Sequence, residues 1–275
     1  MRLELALKIQ ALKGTLSKKI LGRHVCAVIA QSDNGLFAVD PEDYGVGGEL
    51  RTTGRYGSEE LRRLTPHIHS DSKVLVVGAH VGTLAIPISK LCKKVVAVEA
   101  NPATFKLLTM NIALNSASNC QAINIAASDK EESIDFLLSR ANSGGSKRVP
   151  KIRWLYYYDN PKTISINAAR LDEYLEEKEF DIVVMDIEGS EYFALCGMQE
   201  ILSKCKVLAV EFLPHHLRNV SGISVEQFLS IIEPHFSRMT IPSRRLKVGA
   251  PEFVDQLTAM FNLEQGDDGI IFEKI

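Results

Sequence analysis

Glu99, Asp186 and Glu188 each stand just past a short apolar run, and a glycine turn, Gly78-Ala79-His80-Val81-Gly82, follows another such run. A short apolar run bounded by turn signals reads as a buried strand, so these acids sit at strand tips. Carboxylates placed there can accept hydrogen bonds from a sugar diol, hold an ammonium group or take a proton. Gly78 and Glu99 are 21 positions apart, close to the roughly 20 that separate a nucleotide-binding turn from its ribose-binding acid. The stretch from Lys73 to Glu99 therefore reads as strand, turn, helix and strand, a unit that holds a nucleoside.

The turn is Gly-x-x-x-Gly, not Gly-x-Gly-x-x-Gly. The bulk of His80 weakens the case for a pyrophosphate, which needs bare backbone at a helix N-terminus. S-adenosylmethionine has no phosphate and needs only close backbone passage. It is the cofactor expected, with S-adenosylhomocysteine as product. Asp186 and Glu188 occupy alternate positions in Asp186-Ile187-Glu188-Gly189-Ser190-Glu191. Asp186 suits the ammonium of a methionine moiety, and Glu188 suits a substrate hydroxyl or its proton. Helix capping accounts for Glu191 but less well for acids at both 186 and 188. Glu211-Phe212-Leu213-Pro214-His215-His216 ends another apolar run. His215 is a candidate general base, whereas His216 reads as a surface loop residue. Asp186 and Glu188 could together hold a divalent ion. No third ligand is evident in the sequence, and no metal is expected.

These side chains need a scaffold. Apolar runs at 74–77, 95–99, 122–126, 182–187, 207–212, 236–241 and 269–272 alternate with helical patterns, which implies a doubly wound, mostly parallel sheet of seven strands with helices on both faces. Ligands bind beyond the carboxyl ends of such strands. Residues 2–21 read as an amphipathic helix, with Leu3, Leu7, Leu12, Leu16 and Ile20 at helical spacing, expected to cap the sheet. Ser32-Asp33-Asn34-Gly35 signals a hairpin. Residues 1–65 are taken as an N-terminal helix, hairpin and covering loop, and 66–275 as the cofactor-binding domain. Residues 142–162 carry Arg148, Lys151 and Arg153 among Trp154, Tyr156, Tyr157 and Tyr158. They read as a substrate loop.

The chain has 275 residues, a net charge of −2 and 45% apolar residues, which suit a globular protein of one large domain and disfavour a broad nucleic-acid surface. Five scattered cysteines without a C-x-x-C pair fit buried thiols in a reducing compartment. No apolar run reaches the roughly 18 residues that span a bilayer. A cytoplasmic protein without membrane or nucleic-acid partners is expected.

Taken together, GAHVG at 78–82, VEANP at 98–102, NIAASD at 124–129, MDIEGSE at 185–191 and VEF at 210–212 resemble the FkbM-type family of S-adenosylmethionine-dependent methyltransferases. GRYGSEEL at 54–61 and the helix leading to Leu114-Asn115 fit the same likeness. The resemblance implies a Rossmann-like sheet with an antiparallel final strand and transfer to an oxygen, often of a sugar or natural product. It implies that Gly78, His80 and Gly82 line the cofactor, that Glu99 with Ala100 meets its ribose, and that Ala127 and Ser128 flank adenine. Asp186 would face the methionine end, and Tyr56 and Glu59 would close over it. Two positions depart from the family pattern: Val76 replaces an acid, and His80 replaces an asparagine. The expected activity is O-methylation of a small or glycosidic acceptor. A nicotinamide-dependent oxidoreductase and a catalytically weak cofactor-binding subunit are the alternatives.

Overall fold

A helix and a hairpin lead the chain in the computed structural model, which describes residues 2–153 and 156–274. They are α1 (Arg2–Leu21), β1 (Val28–Ser32) and β2 (Gly35–Val39), the two strands pairing antiparallel across Asp33-Asn34 as the sequence predicts. α2 (Val46–Thr53) and α3 (Ser58–Leu64) follow. The body then begins with β3 (Lys73–Val77), α4 (Ala85–Ser89), β4 (Lys94–Val98), α5 (Pro102–Leu114) and β5 (Cys120–Ile123). An insertion carries β6 (Ala126–Ala127), β7 (Glu132–Leu138), β8 (Lys147–Arg148) and β9 (Lys162–Ala169). The sheet resumes with β10 (Ile182–Met185), β11 (Val207–Phe212), β12 (Arg238–Ile241), β13 (Leu246–Gly249) and β14 (Asp267–Glu273).

The main sheet runs β13-β12-β14-β11-β10-β3-β4-β5. β5, β4, β3, β10 and β11 are parallel, β14 pairs antiparallel with both β11 and β12, and β13 pairs antiparallel with β12, so β12 runs with the parallel five. All seven expected strands are in it, but the sheet has eight. The extra edge strand, β13, has one buried residue in four, so its sequence carries no run of apolar residues to read. β6 to β9 form a separate four-stranded sheet, inserted in the chain between β5 and β10.

Side-chain alternation along each central strand splits the core into two layers. Leu75 and Val77 of β3, Val96 and Val98 of β4, and Val183 and Met185 of β10 pack on one face. Val74 and Val76, Val95 and Ala97, and Ile182 and Val184 pack on the other. Both faces of these strands are covered, which is why they read as continuous apolar runs.

The hairpin is clamped to the body by two amides one helical turn apart on α5. Asn111, fully buried, accepts from Ala38 N at 2.7 Å and donates to Ala38 O at 3.1 Å and Val81 O at 2.8 Å. Asn115 repeats the pairing with Leu36, at 3.0 and 2.7 Å. α1 forms where expected, but its faces are reversed. Gly14 is buried, and a Cβ there would stand 2.2 Å from Glu42 O, while Leu12, Leu16 and Ile20 point outward.

Asn111→Ala strips partners from three buried backbone groups. It is expected to cost about 2–4 kcal/mol, read as a lower urea midpoint at unchanged slope, with Asn115→Ala milder. A midpoint shift worth less than about 0.5 kcal/mol for Asn111→Ala would contradict the clamp.

Candidate functional site

Three turns meet at the carboxyl ends of β3, β4 and β10. Gly78 N and Ala79 N both donate to Val98 O at 2.9 Å, tying the first turn to the end of β4. Gly78 has φ +89°, and a Cβ there would lie 1.8 Å from Asp186 O. Only glycine lets this turn rest against the end of β10. His80 follows with φ +50°.

Glu99 is 7% exposed. Its Oε2 accepts from His80 N and its Oε1 from Asn101 N, both at 2.8 Å. Burial pushes its pKa up to about 7, against the pull of those two bonds. Glu191 braces the third turn, its Oε1 accepting from Ile187 N at 2.9 Å and Gly189 N at 3.2 Å. Burial raises it to about 6.

The turns enclose a cleft of about 570 Å³, its open mouth included. One end is apolar, formed by Ile125, Ala126, Ala127, Ile134 and Phe136. Glu99 and Ala100 follow β4 and Asp186 and Glu188 follow β10, so the strand order β5-β4-β3-β10 puts the two acids across Glu99 from Ile125. A second lobe of about 650 Å³ adds Tyr56, Glu60, Val76 and Thr83 to the acidic end. Asp186 meets solvent on its cleft side while protein encloses the rest. Burial first, then Glu188, raises its pKa well above the carboxylate range. Burial and then Asp268 lift Glu60 to about 7.

The insertion roofs this cleft through Ser143, Gly144 and Ser146. Ser143 Oγ donates to Asp43 Oδ2 at 2.7 Å, so the same oxygen accepts the Nε2 proton of His80, also at 2.7 Å. Burial lowers the His80 pKa and keeps the ring neutral. Asp43 in turn accepts from Gly45 N and Gly47 N. One chain of hydrogen bonds thus joins the turn after β3, the roof and the segment before α2.

Behind Glu188 lies a buried polar network. Lys147, with 5% of its side chain exposed, approaches Glu188 Oε2 at 2.6 Å and His216 Nε2 at 3.1 Å. Its ammonium also stands 4.5 Å from the centre of the Tyr156 ring. His216 Nδ1 faces Glu211 Oε2 at 3.1 Å. Burial, then Lys147, drives the His216 pKa down. The neutral ring takes a hydrogen bond from Lys147 at Nε2, so its proton is assigned to Nδ1 and points at Glu211. Burial and then Asp186 raise the Glu211 pKa well above its usual range, and Lys147 opposes that rise.

The structure brings Tyr56, Gly78, His80, Glu99, Ala100, Ala127, Asp186 and Glu188 to the cleft. Four candidates lie elsewhere. Glu59 is exposed and paired with Arg62 at 2.6 Å, and its neighbour Glu60 faces the lobe instead. Gly82 packs under Ile86 and Leu108. Ser128 is fully buried beneath the apolar wall, held by Arg148 at 2.9 Å. His215 stacks on Tyr156 at 6.3 Å, while His216, read from sequence as a surface residue, is the one beside Glu188. Arg148 and Lys151 of the loop are spent on internal contacts with Glu132 and Ser221 O, and Trp154 lies outside the described residues. Lys147, Glu211 and His216 were missed. Glu211 had a readable signal, an acid inside an otherwise apolar and fully buried strand. Acid oxygens of Asp186, Glu188 and Glu211 lie within 4.8 Å of one another, the spacing of a divalent-ion site with the third ligand that was not evident in sequence. Lys147 already supplies a cation there.

Comparison with known proteins agrees with this reading. Residues 77–239 match the methyltransferase FkbM domain. A probable cobalt-precorrin-6B C(15)-methyltransferase of Methanocaldococcus jannaschii is 26% identical over 140 residues, 47% of this chain and 74% of that protein. The 2-O-methyltransferase NoeI of Sinorhizobium fredii is 30% identical over 107 residues, 34% of this chain and 43% of that one. A crystal structure of methyltransferase FkbM from Methylobacillus flagellatus superimposes with a TM-score of 0.42 at 17% identity, over 74% of this chain. The chain spans 43% of the length of NoeI and of the M. flagellatus protein.

Glu99 and Glu191 keep protons in the folded chain from roughly pH 4.5 up to about 7 and about 6, while the unfolded chain has released them. The folded state then binds more protons, so stability falls as pH rises through this window. Glu99→Gln removes its share. Between pH 5 and 7.5 the variant is expected to lose less unfolding free energy than the parent, by on the order of 2 kcal/mol. Denaturant titrations at stepped pH measure this, and parallel slopes for the two proteins would refute it.

Proposed function

The chain belongs to the FkbM-domain methyltransferase family, and from that premise we propose that it methylates a hydroxyl oxygen of a small glycosidic or natural-product-like acceptor. The donor is S-adenosylmethionine and the product S-adenosylhomocysteine. The observation that carries this reading is the order of groups along the cleft: an apolar slot, the buried Glu99, then the acids. The slot beside Ala126, Ala127 and Phe136 suits a flat base. Glu99 keeps lone pairs for a ribose diol beyond its two backbone bonds. The acidic end suits a cationic methionine moiety, which Asp186 and Glu60 face. A dinucleotide pyrophosphate would instead meet Asp186, Glu188 and Glu60 as like charges, which counts against the oxidoreductase alternative.

When bound, S-adenosylmethionine supplies a methyl group activated on a sulfonium. The protein is left to align the acceptor, exclude water and remove one proton. Glu188 fills the last role. It lines both lobes, and Lys147 and His216 fix its carboxylate from behind. Glu188 also has φ +59°, a backbone strain the surrounding turn must maintain. The open groove beside Tyr44, Thr52, Tyr56 and Asn142 adjoins the acidic lobe and gives an acceptor its way in. The name of the S. fredii relative supports oxygen as the atom methylated.

Titration calorimetry tests the reading. Both S-adenosylmethionine and S-adenosylhomocysteine are expected to bind, and Asp186→Asn to weaken both by at least about tenfold, or 1.4 kcal/mol. Glu188→Gln should keep cofactor affinity within a few fold while methyl transfer to glycosidic acceptors is lost. Binding of NADH in preference to either cofactor would overturn the proposal.

A further inference from the structure

α1 is assembled inside out. Leu5, Ile9, Leu12, Leu16 and Ile20 recur at intervals of three and four, so they form one stripe along the helix. A helix that packs on its own domain turns such a stripe inward. Here Leu5 and Leu12 are each 60% exposed and Ile20 is 83% exposed. The face turned to the body carries Leu7, Ala11 and Gly14. Contact at Gly14 leaves no room for even a Cβ against Glu42 O. Lys13 adds a second tie, its ammonium 5.2 Å from the centre of the Tyr44 ring. Rotation of the helix to bury the stripe would break both contacts. The outward orientation is therefore fixed by packing, and about 22 Å of apolar ridge faces away from the protein.

The charge around the ridge is one-sided. From Leu5 through Ser32 the chain has five basic residues, Lys8, Lys13, Lys18, Lys19 and Arg23, and no acid. The whole chain has a net charge of −2, so the remaining residues total −7. Lys19 is exposed and lies three positions from Leu16, which places it beside the ridge, whereas Lys13 turns to the body. A second copy of this helix laid on the ridge would set lysines against lysines. An anionic surface meets both features at once: its apolar layer takes the leucines and isoleucines, and its headgroups take the ammonium groups.

We propose that α1 docks the protein on an anionic lipid bilayer, lying in the headgroup plane with the Leu5–Ile20 stripe inserted. Among the described residues no helix is long and apolar enough to cross a membrane, so the contact is peripheral. The expectation of no membrane partner is thereby narrowed to no spanning segment. Each exposed lysine near an anionic surface adds about 1 kcal/mol, roughly a fivefold gain in binding. One amphipathic helix of this size gives a reversible attachment that salt weakens.

Vesicle co-sedimentation of the full chain tests the proposal. The protein is expected to pellet with phosphatidylcholine vesicles containing about 30% phosphatidylglycerol and to remain in solution with phosphatidylcholine alone. About 0.5 M salt should release most of it. Leu12→Asp and Ile20→Asp should each abolish pelleting at an unchanged melting temperature, because neither side chain packs on the body. Lys19→Glu should reduce the bound fraction by at least about fivefold. Three results would each overturn the proposal. One is no pelleting with the anionic vesicles. Another is pelleting that survives Leu12→Asp. The third is a dimer by light scattering that Leu12→Asp dissociates, which would make the ridge an interface between copies.

Discussion

A buried carboxyl group must be met by donors or keep its proton, and Glu99, met by the backbone of two turns, still holds its proton up to about pH 7. One oxygen holds His80 N in the turn after β3, and the other holds Asn101 N at the start of α5. The site is built around this constraint. Gly78 and Ala79 reach the same strand end through Val98 O, so the glycine turn is fastened to β4 along its length. α5 is fastened to the hairpin by Asn111 and Asn115. The glycine turn, Glu99 and the N-terminal hairpin thus form one continuous hydrogen-bonded unit.

The acidic end follows a different logic. Asp186, Glu188, Glu211, Glu191 and Glu60 crowd a small volume, and burial raises the pKa of Asp186, Glu211, Glu191 and Glu60. Such a cluster is unfavourable when empty of cations and favourable when one is supplied. Lys147 supplies one permanently, from behind. On the cleft side, binding of any cation and release of these protons would be two sides of one equilibrium.

Much of this was legible in the sequence because central strands, covered on both faces, show as uninterrupted apolar runs. Val74 to Val77, Val95 to Val98 and Ile182 to Met185 could be assigned as doubly buried strands, and the acids just beyond them fell at the sheet's ligand edge. What escaped depends on long-range contact. Lys147 sits in a basic patch whose neighbour Arg148 turns to Glu132 and Phe193, and no local pattern separates the two. His215 and His216 are adjacent, and only the turn after Leu213 decides which ring goes inward. α1 was recognisable as a helix from its spacing. Its orientation was set by Gly14 against Glu42, a contact between residues far apart on different elements.

The two departures from the family pattern resolve differently. His80 takes a left-handed backbone that asparagine tolerates better, but its ring gains what an asparagine side chain is too short to offer, a bond across to Ser143 and through it to Asp43. The residue thereby couples the glycine turn to the roof. Val76 is simply core, packed with Val74 and Val184, and the carboxylate expected at its position is missing from β3. α3 returns one to the same lobe: Glu60 lines it together with Val76, Asp186 and Glu188. Because Glu60 comes from the N-terminal segment, the acidic lobe is complete only when α3 is docked. In this chain the segment before β3 is therefore part of the site, and its role extends beyond covering it.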